Sequence, residues 1–454
     1  MPRTTAMELY KLLPKTNCKD CGENTCMSFA IKLIDRGRKL GECPYIVKEN
    51  LGKLMDMVTP PVKEVRFGHP EGMTLGGEEV MYRHELKFFN PCRIAVDVSD
   101  TMPDAEIDGR INFVKNFVLE RIGEKLRLDA IAVRCASKNP EKYAKTVERV
   151  AKSFNGPMVL CSFDPKALEA GLKKLDGRRP LIYAANEKNW EKVNALSERY
   201  NAPMAVYSND FDMLGSIASN LGHDNVVLDP GTMPVGSGLK NTIEGFTMLR
   251  KSAVKNVREL GYPLMGVPAI AWTGTKDRIM AAYYETVLAC ALLSRFASLI
   301  VVHSIEPWSL IHMLTLRQNI YTDPRTEPEV DAKLYEIGKP GENSPVFVTT
   351  NFSLTYFTVA GDLQKSSIDS YLLVVGTKGF AVDTAIATGD LSGSKIREAI
   401  ENSKLADKVK HRKLILPMFA SQIRGTIEDE TGWEVLIGPR DSSEIGKFVK
   451  EKWR

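Results

Sequence analysis

Apolar residues recur along this chain in two rhythms, and their order divides it into three parts. The middle part repeats one unit. Short, unbroken apolar runs at 93–98, 128–134, 158–161, 181–184, 204–207, 225–228, 264–269 and 299–303 alternate with amphipathic stretches such as 111–126, 190–200, 241–260 and 281–297. Continuous apolar runs mark parallel strands covered on both faces, whereas the stretches between them carry helical spacing. Eight such units, about 25 to 30 residues apart, predict a closed (β/α)8 barrel rather than an open sheet. A hairpin of strands at 62–67 and 80–89, joined by the turn-rich HPEGMTLGG, is expected to precede it.

The flanks read differently. Residues 1–60 hold two helical stretches, 6–13 and 26–40, and end at the stiff Thr59-Pro60-Pro61. After an apolar stretch at 308–318 the rhythm breaks at Tyr321-Thr-Asp-Pro-Arg-Thr-Glu-Pro328. A smaller α/β region follows, with strands at 346–349, 371–375, 413–417 and 434–437 and helices near 382–388, 394–401 and 443–450. The expected fold class is therefore α/β in three domains: 1–60, a barrel over 61–322 and a Rossmann-like domain over 323–454.

Composition narrows the function classes. A chain of 454 residues has room for two or three domains, and its net charge of +4 argues against a nucleic-acid partner. No apolar run approaches the ~20 residues that span a bilayer, and MPRTTAMELYKLL lacks the apolar core of a signal peptide. No membrane partner and a cytoplasmic location are expected. Of eight cysteines, Cys92, Cys135, Cys161 and Cys290 are scattered among apolar residues and read as small buried hydrophobes in a reducing compartment.

The other four are clustered. Cys18-x2-Cys21-x4-Cys26, with Cys43-Pro44 beyond the second helical stretch, has the spacing of a [4Fe-4S] site. Cys26 opens a helix, where backbone N–H groups favour an anionic cluster. Structural zinc with four thiolates normally pairs two C-x2-C knuckles, and only one is present; zinc stays open as the rival.

With Thr16-Asn-Cys18-x2-Cys21-Gly22-x3-Cys26-x2-Phe29-Ala30 and Cys43-Pro44-Tyr45 in view, the chain resembles the large (gamma) subunits of corrinoid iron–sulfur proteins, which belong to the acetyl-CoA decarbonylase/synthase system of the Wood–Ljungdahl pathway. The likeness runs the whole length, most specifically over the cysteines. It implies a methyltransferase component: Co(I) of a corrinoid takes a methyl group from a methyltetrahydropterin of the folate or sarcinapterin type, and methyl-Co(III) delivers it to the nickel site of acetyl-CoA synthase. The cluster held by Cys18, Cys21, Cys26 and Cys43 would reactivate Co(II). Implied partners are a small corrinoid iron–sulfur subunit forming a heterodimer, a methyltetrahydropterin methyltransferase, and acetyl-CoA synthase/CO dehydrogenase.

The corrinoid is expected in the C-terminal domain. The strand ends there carry Thr349-Thr350-Asn351 with Thr355 beyond, Gly376-Thr377-Lys378-Gly379, Ala420-Ser421 and Gly438-Pro439, small or polar residues suited to a flat macrocycle and its tail. By themselves these segments fit plain turns or a nucleotide equally well. An iron–sulfur electron-transfer protein with a nucleotide-binding C-terminal domain is the alternative. No Asp-x-His-x-x-Gly motif is present, and His411, the C-terminal histidine, reads as a solvated loop residue, so a base-off cobamide is expected. With the chemistry on cobalt, no catalytic side chain is assigned. Asp97, Asp100, Asn186, Asn209, Asp210, Asp229, His303 and Glu306 fall at barrel strand ends, where they either cap helices or line a pterin site.

Overall fold

The computed structural model describes residues 5–175 and 177–453. The chain divides into two compact units, residues 1–119 with 126–322 and residues 120–125 with 323–454.

The first unit opens with three helices, Ala6–Leu12, Cys26–Ile34 and Lys48–Val58, around Leu9, Leu13, Phe29, Ala30, Leu33 and Leu54. The second helix is shorter than the 26–40 expected. Arg36 turns left-handed at φ 56, Gly37 N donates to Lys32 O (2.8 Å) and Arg36 N to Leu33 O (3.2 Å), which closes the helix in a Schellman motif. The stop lets a short turn, Leu40–Glu42, bring Cys43 back towards the helix start.

A hairpin follows, β1 (Glu64–Phe67) against β2 (Met73–Gly76), with Val65 opposite Leu75. The second strand thus lies inside the segment expected to be the turn, and 80–89 is not a strand. The physical reason is coverage. Val65, Phe67 and Leu75 plug the barrel interior, packing with Ala95, Ala130, Leu181, Val227 and Leu299, so the pairing that buries them wins.

The barrel closes in the order β10-β11-β12-β3-β6-β7-β8-β9, all parallel. Its members are β3 (Arg93–Ser99), β6 (Ala130–Arg134), β7 (Met158–Cys161), β8 (Leu181–Ala185), β9 (Met204–Tyr207), β10 (Val226–Asp229), β11 (Leu264–Gly266) and β12 (Ala297–Val302). Each falls within about two residues of its expected start, because strands covered on both faces announce themselves as apolar runs. One helix was over-extended. Helix Asp104–Asn116 ends where 111–126 was expected to continue, and β4 (Leu119–Arg121) and β5 (Glu124–Leu126) form a hairpin instead. Ile122 (φ 48) and Gly123 (φ 73) make the two-residue turn whose left-handed pair suits strand twist.

The second unit is built on a five-stranded sheet ordered β13-β15-β14-β16-β17. Its strands are β13 (Leu334–Ile337), β14 (Val346–Thr350), β15 (Ser370–Val375), β16 (Lys413–Leu416) and β17 (Glu434–Ile437); β13 is an antiparallel edge and the rest are parallel. Helices cover both faces and create two cores, one around Val348, Leu373 and Ile427, the other around Phe347, Leu363 and Ile445. β13 and helices Ser353–Lys365 and Arg424–Thr431 were not foreseen in the sequence.

Candidate metal centre and cofactor cleft

The loop that carries the first cysteines is coiled by its backbone: Lys15, Asn17 and Lys19 all take left-handed φ values (61, 50 and 69). Non-glycine residues rarely do so singly, let alone three times in five positions. Asn17 Oδ1 accepts from Cys26 N (2.8 Å), and Thr25 Oγ1 caps the helix by accepting from Ser28 N (3.0 Å). Cys21 and Cys26 are buried, Cys43 is half-buried and Cys18 is exposed. Burial pushes the Cys43 thiol up, and the thiols of Cys21, Cys26 and Cys18 push in the same direction, so all four lie within electrostatic reach. An all-thiolate set suits an iron–sulfur cluster or zinc. Among the described residues no three His, Cys, Asp or Glu side chains stand close enough together to grip one ion. The donor set, four thiols, is the one a [4Fe-4S] cluster takes.

In the second unit the chain passes from β14 to β15 on one side and then crosses back to β16 on the other. The switch point lies between β14 and β16, where open α/β sheets bind ligands beyond the carboxyl ends of their strands. A cavity of about 370 Å³ opens there, lined by Thr349 from β14, Leu416 at the end of β16 with Pro417 beyond it, Gly438, Pro439 and Arg440 beyond β17, and Leu354, Thr355 and Thr358 from helix Ser353–Lys365. Two buried hydroxyls, Thr349 Oγ1 and Thr350 Oγ1, have no hydrogen-bond partner among the described residues. A buried hydroxyl left unpaired is costly, so Thr349, on the cavity wall, is poised for a ligand's polar group. Leu354, Met418 and Phe419 stand exposed in and beside the opening, an apolar rim that a wide ring would cover. The volume is at the lower end for small-molecule pockets.

The expected contacts separate into groups. Thr349, Thr355, Gly438 and Pro439 line the cavity. Ala420 and Ser421 lie in the short turn Met418–Ile423, whose Phe419 reaches the lining; Ala420 itself is buried in the core. Thr350 sits behind, fully buried. Asn351 Oδ1 accepts from Thr377 N (2.9 Å), Thr377 Oγ1 (2.9 Å) and Gly379 N (3.0 Å), so Asn351, Thr377 and Gly379 lock one another into a loop outside that lining. Lys378 pairs with Asp390, and Gly376 borders a different cavity beside Ala332 and Lys395. Thr358, Asp383, Ser442 and Ile445 were missed; Leu354 and Thr358, four apart on one helix face, were the signal available.

His411 is not a solvated loop residue. It precedes β16, at the amino end of the sheet, donates through Nε2 to Ser344 O (2.9 Å), accepts at Nδ1 from Lys413 N (3.2 Å) and meets the Trp453 ring edge-on. Burial lowers its pKa. Its nitrogens are engaged on the side opposite the cleft.

At the barrel's carboxyl end most acids serve structure. Asp210 caps helix Phe211–Asn220, and Asp100 accepts from Ala136 N, Ser137 N and Ser137 Oγ. Asp97 is buried among Arg110 (3.3 Å), Arg134 (3.1 Å) and His303 Nδ1 (2.6 Å); His303 and the two arginines hold its pKa low against the opposing effect of burial. Asp229, buried with Tyr183 Oη donating to it (2.8 Å), is pushed up to about 6. No helix among the described residues is long and apolar enough to cross a membrane.

Two family models match the chain. Residues 64–449 match a family model described as "CO dehydrogenase/acetyl-CoA synthase delta subunit", and residues 13–45 match one described as "Putative Fe-S cluster". Relatives spanning both stretches are gamma subunits of the acetyl-CoA decarbonylase/synthase complex. That of Methanothermobacter thermautotrophicus is 42% identical over 98% of this chain and 98% of its own length. The gamma 2 subunit of Methanosarcina thermophila is 41% identical over 100% and 99%. The gamma subunit of Methanopyrus kandleri is 42% identical over 100% and 98%. Among solved structures, dihydropteroate synthase from Thermus thermophilus is 17% identical over 51% of this chain and 95% of its own (TM-score 0.36), and that from Vibrio fischeri 12% over 57% and 99% (TM-score 0.41).

Proposed function

Because the chain belongs to the family of acetyl-CoA decarbonylase/synthase complex gamma subunits, the large subunits of corrinoid iron–sulfur proteins, we propose that it is the methyl carrier of such a complex. When bound, a base-off corrinoid supplies a nucleophilic cobalt that accepts and releases a methyl group, and a [4Fe-4S] cluster supplies the low-potential electron that keeps it competent. A methyltetrahydropterin, of the folate or sarcinapterin type, gives the methyl group, and the nickel site of acetyl-CoA synthase receives it. The partners in this reading are a small corrinoid iron–sulfur subunit, a methyltetrahydropterin methyltransferase and acetyl-CoA synthase/CO dehydrogenase.

The chain's own residues have defined tasks. Cys18, Cys21, Cys26 and Cys43 hold the cluster within residues 1–60. Thr349, Thr355, Gly438 and Pro439 hold the cobamide within 323–454, Thr349 by offering its unpaired hydroxyl. His411, its ring nitrogens engaged at the sheet's other end, is held away from the cleft, which fits a base-off cobamide. The single observation that carries the reading is the cleft at the β14/β16 switch point, with an orphan hydroxyl in its wall, on a chain that also carries the four-thiol loop. The test is a cobalt and iron determination on the native protein with its small subunit. One cobalt and four irons per chain, with visible bands that change on reduction and methylation, support it; iron without cobalt would favour an electron-transfer protein with a nucleotide in the cleft.

A further inference from the structure

The candidate cluster loop is made by two segments that nothing covalent fastens face to face. Cys18, Cys21 and Cys26 lie on the loop and the helix start, whereas Cys43 follows the turn Leu40–Glu42. Arg38 reaches across from one to the other. Arg38 Nε donates to Glu23 Oε1 (3.0 Å), Nη2 to Gly22 O (3.4 Å) and Nη1 to Glu42 Oε2 (3.1 Å). Both carboxylates are anchored in turn: Glu23 Oε2 accepts from Ser28 Oγ (2.8 Å), and Glu42 Oε1 accepts from Lys39 N (2.9 Å). Glu23 lies between Cys21 and Cys26, and Glu42 is the residue before Cys43.

We infer that Arg38 is the positioning residue that sets the spacing of Cys43 from the other three ligands, and that it neutralises the two carboxylates beside an anionic cluster. The inference rests on the four-cysteine reading above. Arg38 and Glu42 remain open to solvent while Glu23 is half-buried, and ion pairs in contact with water contribute little to stability, so the role is geometric and electrostatic rather than one of holding the fold. The guanidinium makes three bonds in fixed directions, which an ammonium point charge cannot reproduce. A positive charge near the cluster also favours its more negative, reduced form.

The experiment uses the full-length chain, reconstituted anaerobically with iron and sulfide, as wild type, Arg38→Gln, Arg38→Lys and Glu42→Ala. Wild type that takes up no four-iron cluster defeats the cysteine reading itself, independently of Arg38. Given a loaded wild type, Arg38→Gln is expected to bind at least twofold less iron, to alter the paramagnetic resonance of the reduced cluster and to shift the midpoint potential negative. Arg38→Lys is expected to restore the potential but not the iron content or the resonance, and Glu42→Ala, which cuts the Cys43 arm, to reproduce the iron loss. Amide exchange protection of helix Cys26–Ile34 in the apo variants should match wild type. Wild-type iron, resonance and potential in Arg38→Gln would overturn the inference. So would full rescue by Arg38→Lys, or loss of helix protection in step with iron.

Discussion

Replacing Thr349 by Val tests the cleft most directly, because the two side chains share a shape and only the hydroxyl is lost. Thr349 and Thr350 are 2% and 0% exposed, and neither hydroxyl has a partner among the described residues. An unsatisfied buried hydroxyl costs about 1–3 kcal/mol, so removing either should stabilise the cofactor-free second unit by about 1 kcal/mol or more. For a domain of this size that raises its melting temperature by roughly 3–5 °C. The two positions then part company. Thr349 lines the cavity and Thr350 does not. A ligand atom that pairs with Thr349 both relieves the orphan and gains a bond, so Thr349→Val should weaken cobamide binding by about 1–2 kcal/mol, roughly five- to thirty-fold in Kd. Thr350→Val should leave it unchanged. Calorimetry of the apo chains and absorbance titration with a cobamide read the two effects separately. Equal affinities for wild type and Thr349→Val would refute the assignment of that hydroxyl to the ligand. A drop in apo stability for both variants would refute the premise that the hydroxyls lack partners.

Three further outcomes are expected. Cys21→Ser should retain methyl transfer from pre-reduced corrinoid while losing reductive rescue of oxidised corrinoid, followed by stopped-flow absorbance; rescue at the wild-type rate would remove the cluster from that role. Gly379→Ala should destabilise the second unit by about 1–3 kcal/mol, because Gly379 sits at φ 72 and a Cβ there would lie 2.6 Å from Glu327 Cβ, whereas at Gly376 the nearest atom is Ala332 Cβ at 3.4 Å and Gly376→Ala should be near neutral in denaturant titration. Finally, Asp229, Glu285 and Glu78 have folded-state pKa values raised by burial to about 6, 7 and 7 from ordinary values of 3.8, 4.5 and 4.5. The folded state then binds more protons than the unfolded one between about pH 4 and 7, so first-unit stability falls as pH rises through that window, by about 3 kcal/mol per group, and Asp229→Asn should flatten the slope between urea midpoints at pH 5 and 7.

The parts of this molecule that were legible in the sequence are those whose signal is local. The barrel strands are buried on both faces and read as apolar runs whatever surrounds them; the cysteine spacing is equally self-contained. Errors arose where tertiary packing chose between local options. Residues 73–76 look like part of a glycine-rich turn, yet Leu75 is recruited as a plug for the barrel interior alongside Val65 and Phe67, and that burial fixes the pairing. Residues 117–126 continue a helical-looking pattern, but Ile122-Gly123 can adopt the left-handed pair that a tight hairpin needs. β13 went unnoticed because an edge strand with intermediate burial lacks the apolar run of a central one.

The cleft shows a deeper limit. Sequence reasoning names strand ends, and all four parallel strands of the second unit offer small or polar residues there. Which ends converge depends on strand order. Had the sheet followed the chain as β14-β15-β16-β17, the Gly376–Gly379 loop would have lain between β14 and β16 and shared any ligand with them. Because β14 instead stands between β15 and β16, the crossover opens the cavity at Thr349, Pro417 and Gly438 and sends Gly376 to the far side. The residues that look most like a ligand loop thereby become its scaffold: Asn351 spends its carbonyl oxygen on Thr377 and Gly379, and its amide on Glu329 (2.8 Å). On the proposed reading, what remains for a ligand is the Thr349 hydroxyl, which the same strand end leaves without a partner among the described residues.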